Sequence, residues 1–287
     1  MADGHREPHL PAARAGGGGL SRRRAPERLP GLVDSHAHLQ HERFATDLDE
    51  VLERARAAGI ERILVPGWDL ASSEAALDLV ERHGPMLDAA VGVHPHHAAE
   101  VDESGWQHLA TLAGDPRTAA VGEIGLDYFR NLSSPDAQRE ALARQLAIAS
   151  RAGLPVLVHD RDAHDDVTDA LLAWPDPSGR AVRGVLHAFS GDASMASRLV
   201  EAGYLVSFAL PVAFRSAIGP RAAAPALAAG SFLVETDAPY LGPDRERRNE
   251  PVTALRVLAE LAALREVPVE SLVGPIRAAY ERLVSRG

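Results

Sequence analysis

The sequence predicts an α/β protein folded as a (β/α)8 TIM barrel, because short apolar runs alternate with helical patterns at a period of about 30 residues. Eight such repeats fit within about 250 residues, the usual length of this barrel, and the chain has 287 residues. A doubly wound sheet would use fewer strands and a glycine-rich first turn. With 46% hydrophobic and 24% charged residues, a globular core is expected rather than a disordered chain or a coiled coil.

Strands are predicted where β-branched or leucine-rich runs occur between turn residues. In chain order they cover residues 32–35, 62–66, 87–93, 119–123, 155–159, 184–187, 204–208 and 232–235. Helices between them repeat apolar residues at intervals of three and four, which places those residues on one helix face. The first helix shows this spacing at Leu48, Val51, Leu52 and Ala55. Residues 251–264 and 271–285 are predicted as C-terminal helices.

The first 30 residues differ from the rest and are predicted to be a disordered, flexible tail, followed by one barrel domain at residues 31–287. The tail contains the glycine run 16–19, the arginine triplet 22–24 and several prolines, but almost no apolar residues. Its six arginines and three acidic residues give it a charge of +3, so the net charge of −10 leaves −13 on the barrel. Such a charge repels a polyanion, and by itself argues against nucleic acid unless metal ions or local arginines offset it.

Two residue types are missing: the sequence has neither cysteine nor lysine, so all 30 basic residues are arginine. Disulfides, thiolate nucleophiles, cysteine-type zinc sites, lysine Schiff bases and a carboxylated lysine bridging two metals are therefore excluded. Any metal has to be held by His, Asp or Glu. No segment approaches the roughly 18 apolar residues of a membrane helix, and the N-terminus lacks a signal-peptide core, so a soluble cytoplasmic protein without a membrane partner is expected.

Six ionisable residues occur where predicted strands end, and a TIM barrel brings these ends together at the mouth that carries active sites. They are His36 and His38 after the first strand, Glu123 at the fourth, His159 at the fifth, His187 at the sixth and Asp237 after the eighth. Side chains two residues apart point to the same side of an extended segment, so His36 and His38 can hold one divalent ion. A lone strand histidine is usually structural, but this ordered set predicts a metal centre.

Seven segments carry these residues and their neighbours. They are Asp34-Ser35-His36-Ala37-His38-Leu39, Gly92-Val93-His94-Pro95-His96, Gly122-Glu123-Ile124-Gly125-Leu126-Asp127-Tyr128, Val158-His159, His187-Ala188-Phe189-Ser190-Gly191, Glu235-Thr236-Asp237-Ala238-Pro239-Tyr240-Leu241 and Arg248-Asn249-Glu250-Pro251. With these motifs the sequence resembles the TatD-type metal-dependent deoxyribonucleases, a family of amidohydrolase-like barrels, over about residues 32–286. It departs from the family pattern at Asp160 and Ala188, neither of which is expected to bind metal.

The resemblance implies two divalent metal ions. One would be held by His36, His38 and Asp237 and the second by His159 and His187, with Glu123 bridging both. Two ions roughly 3.5 to 4 Å apart lower the pKa of a shared water and stabilise the attacking and leaving oxygens of a phosphodiester. The expected activity is that of a DNA exonuclease that uses a metal-bridging hydroxide, with Glu123 and Asp237 as catalytic residues and Asp237 as the general base. Short or single-stranded DNA ends are the expected substrate. Imidazole ligands favour zinc, manganese or iron, while the resemblance also admits magnesium.

Three further residues are predicted substrate contacts. His94 follows the third strand and is assigned to the phosphate, although a hydrogen bond to a rim loop is an equal alternative. Arg130 and Arg161 follow the segments of Asp127 and His159, where guanidinium groups can bind DNA phosphates through two hydrogen bonds. For the basic run at Arg245, Arg247 and Arg248, a solvated loop is the simpler interpretation. Tyr128, Phe129 and Tyr240 are candidates for base stacking or for packing at the barrel mouth.

Two other functions stay open. The same metal centre can hydrolyse a small ester, lactone, amide or phosphotriester, because a fold does not determine the substrate. A non-catalytic metal-binding scaffold is a third interpretation, but Asp237 would then have no evident structural use.

Overall fold

The computed structural model describes residues 25–175, 179–243 and 247–285. Within these ranges it confirms the predicted barrel: eight parallel strands form one sheet in sequential order. The strands are β1 (Leu32–Asp34), β2 (Ile60–Pro66), β3 (Leu87–Val91), β4 (Thr118–Asp127), β5 (Val156–Arg161), β6 (Gly184–Leu186), β7 (Tyr204–Phe208) and β8 (Phe232–Val234). Since every strand is parallel to its neighbour, the carboxyl ends of all of them meet at one face.

Helices cover the outside of the sheet. They are α1 (Leu48–Ala57), α2 (Leu70–His83), α3 (Glu103–Gly114), α4 (Pro135–Ala152), α5 (His164–Ala173), α6 (Ala193–Glu201), α7 (Ile218–Ala226), α8 (Ala254–Leu264) and α9 (Glu270–Val284). The predicted apolar face of α1 is buried at Val51, Leu52 and Ala55. The predicted C-terminal helices are α8 and α9, with a 3-10 turn at Pro251–Thr253 in front of α8. In the described ranges, no helix combines the length and apolar character needed to cross a membrane.

The barrel closes where the segment after β8 runs beside the segment after β1. The backbone N–H of Ser35 donates to the carbonyl of Val234 at 3.0 Å, and that of Asp237 donates to the carbonyl of His36 at 2.9 Å. The N–H of His38 continues the pattern with the carbonyl of Ala238 at 2.7 Å. These bonds hold the two histidines beside Asp237, although about 200 residues separate them in sequence.

Several predicted strand ends were wrong by one residue or more, and the fourth and third strands are examples. The fourth strand continues beyond Glu123 to Asp127, because Gly125 lets it stay close to β5: a Cβ at Gly125 would lie 2.0 Å from the carbonyl oxygen of His159. The third strand ends at Val91 rather than at residue 93. The backbone after Val91 forms hydrogen bonds with helix side chains rather than with a neighbouring strand: the N–H of Val93 donates to Oε1 of Gln145 at 2.7 Å.

The hydrophobic core fills the barrel and the layer between sheet and helices. Its largest fully buried side chains include Phe44, Phe208, Phe232 and Tyr280. Residues 1–24 of the predicted tail lie outside the described residues. Of the described residues that follow, Leu29 is buried and its N–H donates to the carbonyl of Ala58 at 2.8 Å, so the chain contacts the barrel before β1 begins.

Candidate active site

The structure brings the six predicted residues together in one cluster. On one side of it, Nε2 of His36 lies 3.1 Å from Nε2 of His38. Both nitrogens are 3.6 Å from Oδ1 of Asp237. The i and i+2 spacing predicted that the two imidazoles share a side, and the hydrogen bonds at barrel closure add the carboxylate.

The other side of the cluster is formed by the histidines of β5 and the segment after β6. Nδ1 of His159 lies 3.1 Å from Nε2 of His187. Both face the same oxygen, Oε1 of Glu123, at 3.0 Å and 2.8 Å respectively. His159 can occupy this place because glycine at position 125 leaves room for its backbone.

Glu123 joins the two sides. While Oε1 faces His159 and His187, Oε2 lies 3.4 Å from Nε2 of His36 and 3.6 Å from Nε2 of His38. Burial raises the pKa of this carboxyl, but the surrounding imidazoles, His187 foremost, hold the pKa of Glu123 well below its ordinary value. Glu123 is therefore an ionised carboxylate with one oxygen directed to each side of the cluster.

The donor set fits divalent metal ions. In each of the two histidine pairs, two ring nitrogens face each other at hydrogen-bond distance. If such a pair forms a hydrogen bond while both rings are neutral, only one of the two facing nitrogens carries the proton. Imidazole nitrogens and carboxylate oxygens together suit zinc or manganese. Within the described ranges, three groups have ligand atoms no more than 4.8 Å apart: His36–His38–Asp237, His36–Glu123–His187 and His94–Glu123–His159. The cluster thus provides more than one place for a cation.

His94, in the loop that follows β3, directs its ring into this cluster and also accepts a hydrogen bond from that loop. Its Nε2 is 3.4 Å from Oε1 of Glu123, and its Nδ1 accepts a hydrogen bond from the N–H of His96 at 3.1 Å. Burial lowers the pKa of His94 to about 3, so the ring is neutral and its single proton is on Nε2. The predicted substrate contact therefore directs an N–H donor into the site, and without that proton Nε2 would be a further metal ligand.

Sequence analysis missed two carboxylates that hold the imidazoles. Oε1 of Glu235 accepts from the N–H of Ala188 at 2.7 Å and lies 3.3 Å from Nδ1 of His187. Oδ2 of Asp127 lies 3.5 Å from Nε2 of His159. Both residues stand in the quoted motifs, and the signal that could have identified them is their place in the sequence beside the predicted ligands Asp237 and Glu123.

Asp127 also organises the loop that follows β4. Its Oδ1 accepts from the backbone N–H groups of Phe129, at 3.0 Å, and Arg130, at 2.7 Å, while its Oδ2 lies 2.8 Å from Nε2 of His96. Arg130 is therefore attached to the site through its backbone. Arg161, the last residue of β5, places its guanidinium carbon 4.2 Å from the centroid of the Phe129 ring.

The remaining candidates differ in how they are held. Tyr128 is fixed at the surface by a 2.6 Å hydrogen bond from its hydroxyl to Asp166. The ring of Tyr240 is 5.9 Å from that of His38, and Trp68 approaches the same histidine at 5.4 Å. Arg248, from the predicted basic run, forms ion pairs with Asp47 and Glu250 and packs over Phe44. These contacts tie Arg248 to the protein. Arg245 lies outside the described residues.

Comparison with known proteins identifies the family. The profile described as TatD related DNase matches residues 33–285, nearly the whole barrel. The chain belongs to this family. This family of metal-dependent hydrolases is the one that the sequence motifs predicted.

Its relatives in the TatD family include proteins with and without an assigned activity. The chain is 36% identical over 243 residues to the uncharacterized metal-dependent hydrolase YabD of Bacillus subtilis, covering 84% of this chain and 94% of the relative. It is 37% identical over 250 residues to a protein of Enterobacter lignolyticus named 3'-5' ssDNA/RNA exonuclease TatD, covering 85% and 95%. The crystal structure of YJJV, a TatD homolog of Escherichia coli, is 30% identical, with a TM-score of 0.81 and coverage of 90% and 99%.

Proposed function

We propose that this protein is a metal-dependent exonuclease that hydrolyses phosphodiester bonds at single-stranded ends of DNA. The observation that carries the proposal is the position of Glu123, whose two oxygens face two groups of imidazoles within 3.6 Å. Relatives about equally similar over most of both chains are named 3'-5' ssDNA/RNA exonuclease TatD, which supports this substrate class.

Two metal ions are part of the proposal. His36, His38 and Asp237 would hold one, while His159 and His187 would hold the second, with Glu123 shared between them. Divalent ions in such a site activate water and stabilise charge on the attacking and leaving oxygens of a phosphodiester. Zinc, manganese and magnesium are the candidates.

The protein's own residues then have distinct tasks. Oδ1 of Asp237 faces the two imidazoles, which leaves Oδ2 to accept a proton from the attacking water. His94 donates a hydrogen bond from its Nε2–H group to a phosphate oxygen, and Arg161 at the end of β5 binds phosphate with its guanidinium group. Arg130 would contribute a further phosphate contact from the loop that Asp127 organises.

The test is metal-dependent digestion of end-labelled strands. Protein treated with a chelator and reloaded separately with zinc, manganese or magnesium is incubated with single-stranded DNA, duplex DNA and RNA. Glu123→Gln removes the shared charge and is expected to reduce cleavage at least about 100-fold. Glu53→Gln, an exposed glutamate on α1, is the matched control and should cleave like the wild type.

Other outcomes contradict the proposal. Equal cleavage by the wild type and Glu123→Gln would rule out the proposal that the two metal ions share the carboxylate of Glu123. Hydrolysis of a lactone, a small ester, an amide or a phosphotriester by wild type that leaves every strand intact would favour the small-molecule alternative. Full metal loading without hydrolysis of any of these would favour a metal-binding scaffold.

A further inference from the structure

An exposed aromatic ring and an arginine form a stacked pair at the rim of the barrel. The guanidinium carbon of Arg161 lies 4.2 Å from the centroid of the Phe129 ring, well within the range of a cation–π contact. Phe129 nevertheless stays 46% exposed, although phenylalanine is usually buried. The ring does not contribute to the hydrophobic core of the described residues, so core packing does not explain it.

The guanidinium group of Arg161 has no acidic partner among the residues that the structure describes. Across the described ranges, no carboxylate lies within 4.0 Å of its guanidinium group, and no interaction of this side chain beyond the ring contact is known. Other arginines of the described residues do form ion pairs: Arg54, Arg62, Arg117, Arg139, Arg144, Arg221, Arg248 and Arg277. In a chain with a net charge of −10, an unpaired guanidinium group held on a ring keeps its N–H donors for a ligand.

The pair is also well placed relative to the candidate metal site. Arg161 follows His159 by two residues on β5, so its side chain leaves the strand on the same side, about 6.6 Å closer to the rim. Phe129 is tied to the same histidine through Asp127, which accepts from the N–H of Phe129 at 3.0 Å and lies 3.5 Å from Nε2 of His159. A single strand of DNA whose scissile phosphate lies at the imidazoles would extend over Arg161 and Phe129.

We propose that Arg161 and Phe129 form a nucleotide-binding platform next to the scissile phosphodiester, in which the guanidinium group binds a phosphate and the exposed ring stacks on the adjoining base. This inference rests on the proposed function and specifies how the substrate is selected. A base in a duplex is already covered by its neighbours on both faces, whereas an unpaired base offers a free face to an aromatic ring. The platform therefore favours single strands and frayed ends.

The test compares two substrates of equal length and charge: a ten-residue thymidine strand and the same backbone built from abasic tetrahydrofuran residues. The measured quantity is the ratio of kcat/KM for the thymidine strand to kcat/KM for the abasic strand. Ring–base stacking is worth about 1–3 kcal/mol, so Phe129→Leu is expected to lower this ratio about 5- to 150-fold. Arg161→Gln is expected to lower kcat/KM for both strands by about tenfold, since both carry the phosphate.

Leu132→Ala is the matched control, because Leu132 lies in the same loop and is 58% exposed but carries no ring. Its ratio should equal that of the wild type. An unchanged ratio in Phe129→Leu, while the wild type cleaves the thymidine strand, overturns the platform alone. If the wild type cleaves neither strand with any metal, the proposed function fails and the platform with it. An unchanged ratio combined with loss of a dimer in sedimentation would assign the ring to an interface between copies of the chain.

Discussion

Replacing Glu235 by glutamine is expected to weaken metal binding without removing any proposed ligand. The carboxylate is fully buried: Oε1 faces the N–H of Ala188 and Nδ1 of His187, and Oε2 accepts from the hydroxyl of Ser207. Glutamine keeps the shape but loses the charge. Its amide oxygen can still accept from Ala188 and His187, with each bond weaker by about 1 kcal/mol, while its amide nitrogen has to donate to the hydroxyl of Ser207 instead of accepting from it. The bond to His187 fixes which ring nitrogen carries the proton, so Nε2 stays free for a metal.

We therefore expect Glu235→Gln to reduce the affinity for zinc or manganese about 10- to 100-fold, the usual effect of losing a carboxylate behind a histidine ligand. Titration of chelator-treated protein in a calorimeter measures this directly. The control is Glu260→Gln: Glu260 is also buried, but it pairs with Arg221 at 2.8 Å between outer helices. The control should lose thermal stability and keep its metal affinity. Equal metal affinity in the two variants would refute the positioning role of Glu235.

Three further predictions concern the same cluster. Asp237→Asn should lower kcat about 100- to 10,000-fold, the contribution of a general base, while Tm in a thermal scan changes little because asparagine also tolerates the φ of 55° found there. Cobalt or manganese should quench tryptophan emission through Trp68, whose ring lies 5.4 Å from His38. Trp68→Phe should abolish most of this quenching. Undiminished quenching in this variant would contradict metal binding beside Trp68. Chelation should lower the free energy of unfolding by about 2.7 kcal/mol relative to protein at 100 times the Kd of the metal, and identical urea curves with and without chelator would show that no metal binds the folded state.

Much of the site was predictable because its ligand candidates follow the strand pattern. The position of His159 at the end of an apolar run placed it at the mouth once the barrel was assumed, and His187 followed in the same way. Barrel topology converts these positions along the chain into neighbours in space. That is why histidines from different strands, with 3.1 Å between their nitrogens, could be grouped without any coordinates.

Contacts that depend on the direction of a side chain could not be predicted from the strand pattern. The loop arginine Arg248 was interpreted as part of a solvated basic run, but it reaches Asp47 and packs over Phe44, which precede it by about 200 residues. No local pattern marks such a pairing, since it results from barrel closure rather than from periodicity. The carboxylate of Glu235 is a similar case: its partners Ala188 and Ser207 belong to other repeats.

The charge distribution explains why a cation belongs in this cluster. Glu123 and Asp237 are held by imidazoles, and in the described part of the chain neither has a guanidinium group within ion-pair distance. When the imidazoles act as neutral ligands, they cannot offset two ionised carboxylates in a buried site, and uncompensated buried charge is strongly unfavourable. Bound divalent ions would supply the missing positive charge at the place proposed for the phosphate. With these ions bound, the local field at the mouth would have the opposite sign to the barrel as a whole, which makes the negative net charge compatible with an anionic substrate.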